Sequence, residues 1–435
     1  MNQSIWTKNT RLPKFDRLAG DVKTEVLIIG GGLCGILCAH SLQQAGIDYI
    51  LVEGDRIGQG ITKNTTAKIT AQHGLIYNKL LQKLGEENAR IYLSSNLAAV
   101  SEYERLCGDI DCDFTRKTAY TYSVSDRKKI EDEVRAVNRL GFPAEFCERT
   151  DLPFKTEGAI CFPDQAQFDP LKFAASIAKD LNIYENTFIQ DISPNIAVSE
   201  NGRITAEKII VTTHFPFINK HGSYFLKLYQ HRSYVAAFAD GPDVNGMYVD
   251  EADKGMSFRN HSGLLLIGGG GHRTGKQGGG WHEIHEFAKK YYPQAKAEYT
   301  WATQDCMSLD GIPYIGQYSG RTPEMYVATG FNKWGITSSM VAAMLLTDLI
   351  AGKRNEAAKV FSPQRSIFKP QLFINGFETA VNLLSPTPKR CPHLGCALKW
   401  NRAEHTWDCP CHGSRFTDDG TLIDNPATGN ANIKK

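Results

Sequence analysis

Apolar residues in this chain fall into short blocks whose spacing marks strands and helices in alternation. Residues 25–29 (EVLII) form a strand-like apolar run that leads directly into Gly30-Gly31-Gly32-Leu33-Cys34-Gly35. A helical pattern follows through Ile36, Leu37, Ala39 and Leu42 and stops at Gly46, and residues 48–53 (DYILVE) read as a second buried strand ending in an acid. Strand, turn, helix and strand in that order predict the start of a parallel sheet. Residues 77–107 carry an amphipathic helical pattern, and 127–140 a shorter one between strands at 115–125 and near Pro143. Asp169-Pro170 predicts a helix start, because Asp accepts from the first free amides and Pro fits the first helical position. Leu171, Ala174, Ile177, Ala178 and Leu181 then give that helix its apolar face. Further strands are expected at 187–192, 204–212, 229–238, 264–268 and 325–329, the last passing through Gly330 into a helix that ends near Ile350. Residues 351–390 lack clear periodicity and read as a connector.

Composition adds little until the cysteines and glycines are placed. The 435 residues suffice for two or three domains, and a net charge of +2 gives no reason to expect nucleic acid as a partner. No apolar window approaches the roughly 20 residues that span a bilayer, so a soluble, cytoplasmic protein without a transmembrane segment is expected. Four of the 11 cysteines crowd into residues 391–411. The other seven, Cys34, Cys38, Cys107, Cys112, Cys147, Cys161 and Cys306, show no ligand spacing and read as buried, unpaired thiols.

The glycine turn has the context of a dinucleotide site. Gly30 permits the tight turn, Gly32 lets backbone approach a pyrophosphate, and Gly35 allows close helix–sheet packing. Glu53 ends the next strand 18 residues after Gly35, where it would accept from a ribose. From about residue 22 to 353 the sequence resembles the D-amino-acid-oxidase/glycine-oxidase-like family of FAD-dependent oxidoreductases. The matching stretches are the polar segment 58–67, with Thr62, Asn64 and Thr65, then 185–189 ending at Ile189, then 310–316 from Asp310, and 328–337 with Gly330, Lys333, Trp334 and Gly335. The resemblance implies that these residues hold FAD. It also implies an α/β FAD-binding domain built from about 22–76, 160–214 and 304–353, interleaved with an α+β substrate domain at about 77–159 and 215–303. Arg232, Arg259, His272 and Arg273 are candidates for binding a substrate carboxylate, with packing or surface charge as the alternative for each.

Cys391-Pro392-His393 and Cys409-Pro410-Cys411-His412 form a C-x-H pair and a C-x-x-H pair fifteen residues apart. Cys391 and Cys409 would serve one iron of a [2Fe–2S] cluster, and His393 and His412 the other, the Rieske arrangement. Zinc is the alternative for a Cys/His set, but its ribbons use paired cysteine knuckles and would leave two cysteines without a role. In the respiratory Rieske proteins that this segment resembles, the extra pair forms a disulfide, which the resemblance places at Cys396 and Cys411. It likewise puts Ser414 at a bridging sulfide, Phe416 in place of a Tyr donor, and residues 420–427 over the cluster. The module spans 384–435 after a connector at 354–383 and lacks most of a basal β-domain, so docking on the flavoprotein is expected.

Together the two ends imply a dehydrogenase of a small amine, amino acid or hydroxy acid that passes electrons from flavin to cluster and on to an external acceptor. The alternative is a non-catalytic electron-transfer or redox-sensing protein.

Overall fold

The computed structural model describes residues 3–433 and contains three sheets. The first has Val22–Ile29 at its centre, paired in parallel with Tyr49–Val52 on one side and Gly202–Val211 on the other. Thr322–Thr329 extends it in parallel and Tyr314–Ser319 closes that edge antiparallel. Val26, Leu27, Ile28 and Leu51 are fully buried, as expected for strands covered on both faces. Helix Leu33–Gln44 packs beneath them against helix Gly335–Ile350.

The second sheet is mixed and has nine strands. Its longest members, Leu228–Ala239, Leu264–Arg273 and Lys296–Ser308, run antiparallel as one wall. Gly158–Gln167 and Lys68–Ile69 also belong here, so the domain boundaries expected at 160 and 304 fall inside strands of this sheet. Asp169 caps helix Pro170–Ala178 as predicted, accepting from the Leu171 and Lys172 amides at 2.9 and 3.0 Å.

The third sheet is small: Lys399–Asn401, Thr406–Asp408, Arg415–Phe416 and Leu422–Asp424. Its core consists of four cysteines plus Leu398, Phe416, Ala427 and Ala431.

Two expectations are corrected. The stretch read as a connector contains helices Ala357–Phe361 and Pro370–Leu384. The second begins on Pro370, and its apolar side chains point outward, so no core-facing pattern announced it. Cys147 and Cys161, read as unpaired, form a disulfide across neighbouring antiparallel strands, with Cα atoms 6.3 Å apart; strand pairing, which spacing does not reveal, brings them together. Among the described residues no helix is long and apolar enough to cross a membrane.

Candidate functional site

The glycine turn stands at the C-terminal edge of the first sheet and opens a cleft of about 950 Å³ between the two large sheets. Gly30 has φ +112°, and a Cβ there would meet the Thr212 carbonyl at 2.8 Å. A Cβ on Gly35 would lie 1.9 Å from the Gly30 carbonyl, so only glycine lets helix and strand approach this closely. Thr62 Oγ1 accepts from the Leu33 amide at 2.9 Å at the helix start. The Glu53 carboxylate accepts from the Gly31 and Asp55 amides at 2.6 and 3.0 Å. Burial raises its pKa, against the pull of those amides. A helix N-terminus, bare glycine backbone and a buried acid in one cleft fit a dinucleotide.

Ten of the thirteen residues expected at FAD line this cleft: Gly30, Gly32, Glu53, Thr62, Thr65, Ile189, Gly330, Lys333, Trp334 and Gly335. Gly35 packs behind it, as its role requires. Asn64 and Asp310 lie elsewhere. The Asn64 amide donates to the Gly60 carbonyl, and Asp310 forms a two-bond ion pair with Arg365 at 2.8 and 2.9 Å. Asp310 is thus a brace that ties the segment between helices Ala357–Phe361 and Pro370–Leu384 back onto the sheet. Trp334 stacks on His73, ring centroids 4.9 Å apart. His73 is buried between Tyr92 Oη and Thr337 Oγ1, and burial pushes its pKa down to about 3.

None of the four basic candidates lines the cleft. Arg232 forms a two-bond ion pair with Glu404 of the third sheet's module. Arg273 donates to the Pro410 carbonyl at 3.2 Å and to Asn375 Oδ1 at 2.9 Å. His272 pairs with Tyr234 Oη and the Arg273 carbonyl. Arg259 is fully buried, donating to the Ala67 carbonyl and Gln167 with its guanidinium over Trp6. In this structure each of the four lies off the cleft and is engaged in contacts with other protein groups.

The cysteine–histidine loops are built alike. Gly395 N donates to the Cys391 carbonyl and Gly413 N to the Cys409 carbonyl, both at 2.9 Å, and Cys391 N donates to the Cys396 carbonyl across the first loop. Cys396 and Cys411 are joined as a disulfide, Cα atoms 6.7 Å apart. Cys391 and Cys409 remain unbonded, buried thiols. Their mutual contact pulls Cys391 down to about 7 and raises Cys409. The His393 and His412 rings lie 4.9 Å apart. Each has a buried Nδ1 with no protein partner, while His393 Nε2 pairs with Asn219 at 2.9 Å. Two orphaned ring nitrogens beside two free thiols fit the Rieske donor set. Ser414 Oγ accepts from the Ala427 amide at 2.9 Å, fastening the covering loop.

The residues that join cleft and loops escaped the sequence. Thr212 lies under the glycine turn, donating to the Ile29 and Gly30 carbonyls at 3.0 Å. Three residues on, the Phe215 ring lies 6.4 and 6.1 Å from the His393 and His412 rings. Asn425, in the covering loop, donates to the Thr213 and Phe215 carbonyls at 2.7 and 2.8 Å. Gln304 donates to the Gly413 carbonyl at 2.9 Å. His214 bridges inward, pairing with Gln230 at 3.1 Å and lining the cleft. The asparagine of the covering-loop segment was the only sequence signal among these.

Residues 25–349 match the family model described as FAD dependent oxidoreductase, and residues 379–434 match that of the Rieske [2Fe-2S] domain. The Rieske 2Fe-2S iron-sulfur protein YhfW of Bacillus subtilis (strain 168) is 32% identical, over 98% of this chain and 96% of its own. Gamma-glutamylputrescine oxidoreductase of Escherichia coli (strain K12) is 22% identical, over 78% of this chain and 86% of its own. The glycine oxidase structure from Geobacillus kaustophilus superposes with a TM-score of 0.67 at 20% identity, covering 79% of this chain and 99% of that one. The chain thus belongs to the FAD dependent oxidoreductase family, as an oxidoreductase with FAD and, on its C-terminal Rieske module, a [2Fe–2S] cluster.

Proposed function

We propose that the protein is a dehydrogenase of a small cationic amine, coupled through the Rieske module to an external one-electron acceptor. FAD supplies two-electron oxidation of a C–H bond, and the cluster supplies one-electron transfer onward. Gly30, Gly32, Glu53, Thr62 and the 330–335 turn are the residues assigned to FAD, with Cys391, Cys409, His393 and His412 assigned to the cluster. The observation that carries the coupling is residues 212–215, a single strap that touches the glycine turn at one end and both histidines at the other. A plain oxidase has no use for such a link.

The substrate class rests on charge. The cleft's one arginine, Arg56, is paired with Glu185 at the Glu53 end. Across the cleft stand Asp250, Asp253 and Asp305, with Glu251 held by Lys129 at 3.2 Å, against Lys68 and Lys333. Burial, with Arg259, pushes Lys68 down to about 7, and burial likewise raises Asp250 and Asp305. Both signs are thus weakened, and the carboxylates still outnumber the ammonium groups. With the carboxylate-binding candidates engaged elsewhere, an ammonium is the better-matched substrate group. The name of the Escherichia coli relative, an oxidoreductase of a putrescine derivative, points the same way.

The test is anaerobic: diamines and monoamines should bleach the flavin, and α-amino acids should do so far more slowly. His412→Ala, lacking its cluster, should still bleach but pass electrons poorly to one-electron acceptors. Undiminished turnover with those acceptors would remove the cluster from the route. No bleaching by any amine, amino acid or hydroxy acid would favour a non-catalytic redox protein.

A further inference from the structure

Helix Pro370–Leu384 is turned inside out. Each of its exposed residues is apolar or glycine: Pro370, Phe373, Ile374, Gly376, Phe377, Ala380, Val381, Leu383 and Leu384. Its polar residues face the protein instead. Asn375 accepts from Arg273, Glu378 pairs with Lys276 at 2.7 Å, and Asn382 is buried, its backbone carbonyl accepting from the Ala397 amide of the Rieske module. Phe373 is 71% exposed, Phe377 69% and Leu384 84%, and Phe368 just before the helix is 79% exposed. Single exposed apolar residues are ordinary, but a continuous helical face of them marks a non-aqueous partner.

We infer that this helix docks the protein on the surface of an anionic lipid bilayer. Charge decides between a bilayer and a second copy of the chain. From residue 366 to 390 the charged residues are Lys369, Glu378, Lys389 and Arg390, and Glu378 is neutralised inward by Lys276. Lys79, which donates to the Asp310 carbonyl at 2.9 Å, is near enough to Lys369 at the helix start to feel its charge. Both ends of the face are therefore basic. Pairing two copies antiparallel would set Lys369 against Lys389 and Arg390; pairing them parallel would set Lys369 against itself. Anionic headgroups complement both ends while the apolar face sinks among the acyl chains. At 15 residues, about 22 Å long, the helix suits lying in the interface and is too short to span it. Its neighbours are the cluster loops: it packs on Tyr224–Lys227, and the Phe225 ring lies 6.3 Å from that of His412. Leu394, on the first loop, is 41% exposed.

The test is flotation of the holoprotein with equimolar phosphatidylglycerol/phosphatidylcholine vesicles and with phosphatidylcholine alone. The protein should float with the anionic vesicles and bind the neutral ones at least about tenfold more weakly. Phe373→Ser/Phe377→Ser should cut partitioning by about a hundredfold, tenfold per ring withdrawn from lipid, with flavin and cluster absorbance unchanged. Failure of the parent to float, or undiminished flotation of the double variant, would overturn the inference. So would a lipid-free dimer that the double variant dissociates, since the face would then belong to a second copy.

Discussion

If Arg232 is a docking residue and not a substrate ligand, replacing it should loosen the Rieske module. Arg232 is 3% exposed, and its Nε donates to Glu404 at 2.9 Å beside a second guanidinium bond. Breaking a buried ion pair costs about 3–5 kcal/mol when the partner is left alone. Glu404 is not left alone, because Arg415 Nη2 still donates to it at 2.7 Å, so Arg232→Met should cost about 2–3 kcal/mol. That raises the undocked population by roughly 30- to 150-fold. The assay is the bleaching rate of the cluster in mild urea with a chelator, which samples the undocked state, alongside KM for the best substrate. Burial alone would raise the Glu404 carboxyl, but Arg232 and Arg415 outweigh it and hold it below its ordinary value. A carboxylate depressed in the folded state stabilises fully above its unfolded pKa and loses that contribution as pH falls through the folded value. Acidification below the usual glutamate range should therefore hasten bleaching in the parent more than in Glu404→Gln. The double variant should bleach more slowly than the two single effects combined predict, with a coupling of about 2 kcal/mol. Parent-like bleaching in Arg232→Met, with a raised KM, would refute the reasoning and return Arg232 to the substrate.

Glu53→Ala should lower FAD affinity about tenfold or more, since a buried charged acceptor is lost from the ribose end; flavin release on dilution reports it, and unchanged retention would separate Glu53 from the ribose. Gly413→Ala forces a side chain onto φ +85° and sets its Cβ 2.2 Å from Gln230 Cγ. It should speed cluster loss by about 1–3 kcal/mol of destabilisation, and Gln230→Ala in the same chain should restore part of it.

What the sequence made legible is what local backbone chemistry fixes. The glycine turn needs strand, glycines and helix within a dozen residues, and the cluster loops need ligands two or three residues apart, so both declared themselves. Asp169 and Pro170 announced their helix for the same reason. The remainder depends on distant partners. Asp310 and Arg365 are 55 residues apart, Arg232 and Glu404 172 apart, and neither pairing leaves a mark in spacing. Arginines near a glycine run looked like carboxylate anchors because the sequence does not show that the Rieske module lies on them. Helix Pro370–Leu384 failed differently: its 3.6-residue pattern is present but points away from the core, so only the fold shows which face is outside.

The docking contacts also account for how so small a Rieske module, built on a four-stranded sheet, stays in register with the flavoprotein. Half of its small core is cysteine, which gives little apolar burial. The interface compensates with close backbone approach. A Cβ on Gly275 would meet Pro410 at 2.7 Å, and one on Gly413 would meet Gln230. Asn425 then fixes the covering loop to the Thr213 and Phe215 carbonyls, and the Gln304 side chain holds the second ligand loop by the Gly413 carbonyl. Residues 212–215 are thereby held at both ends, and three peptide steps span at most roughly 11 Å. A module pinned this way needs no swinging motion to bring its histidines toward the cleft. Under the proposed function, its transfer rate should be set by a fixed separation, independent of solvent viscosity, whereas a mobile Rieske head would slow as viscosity rises.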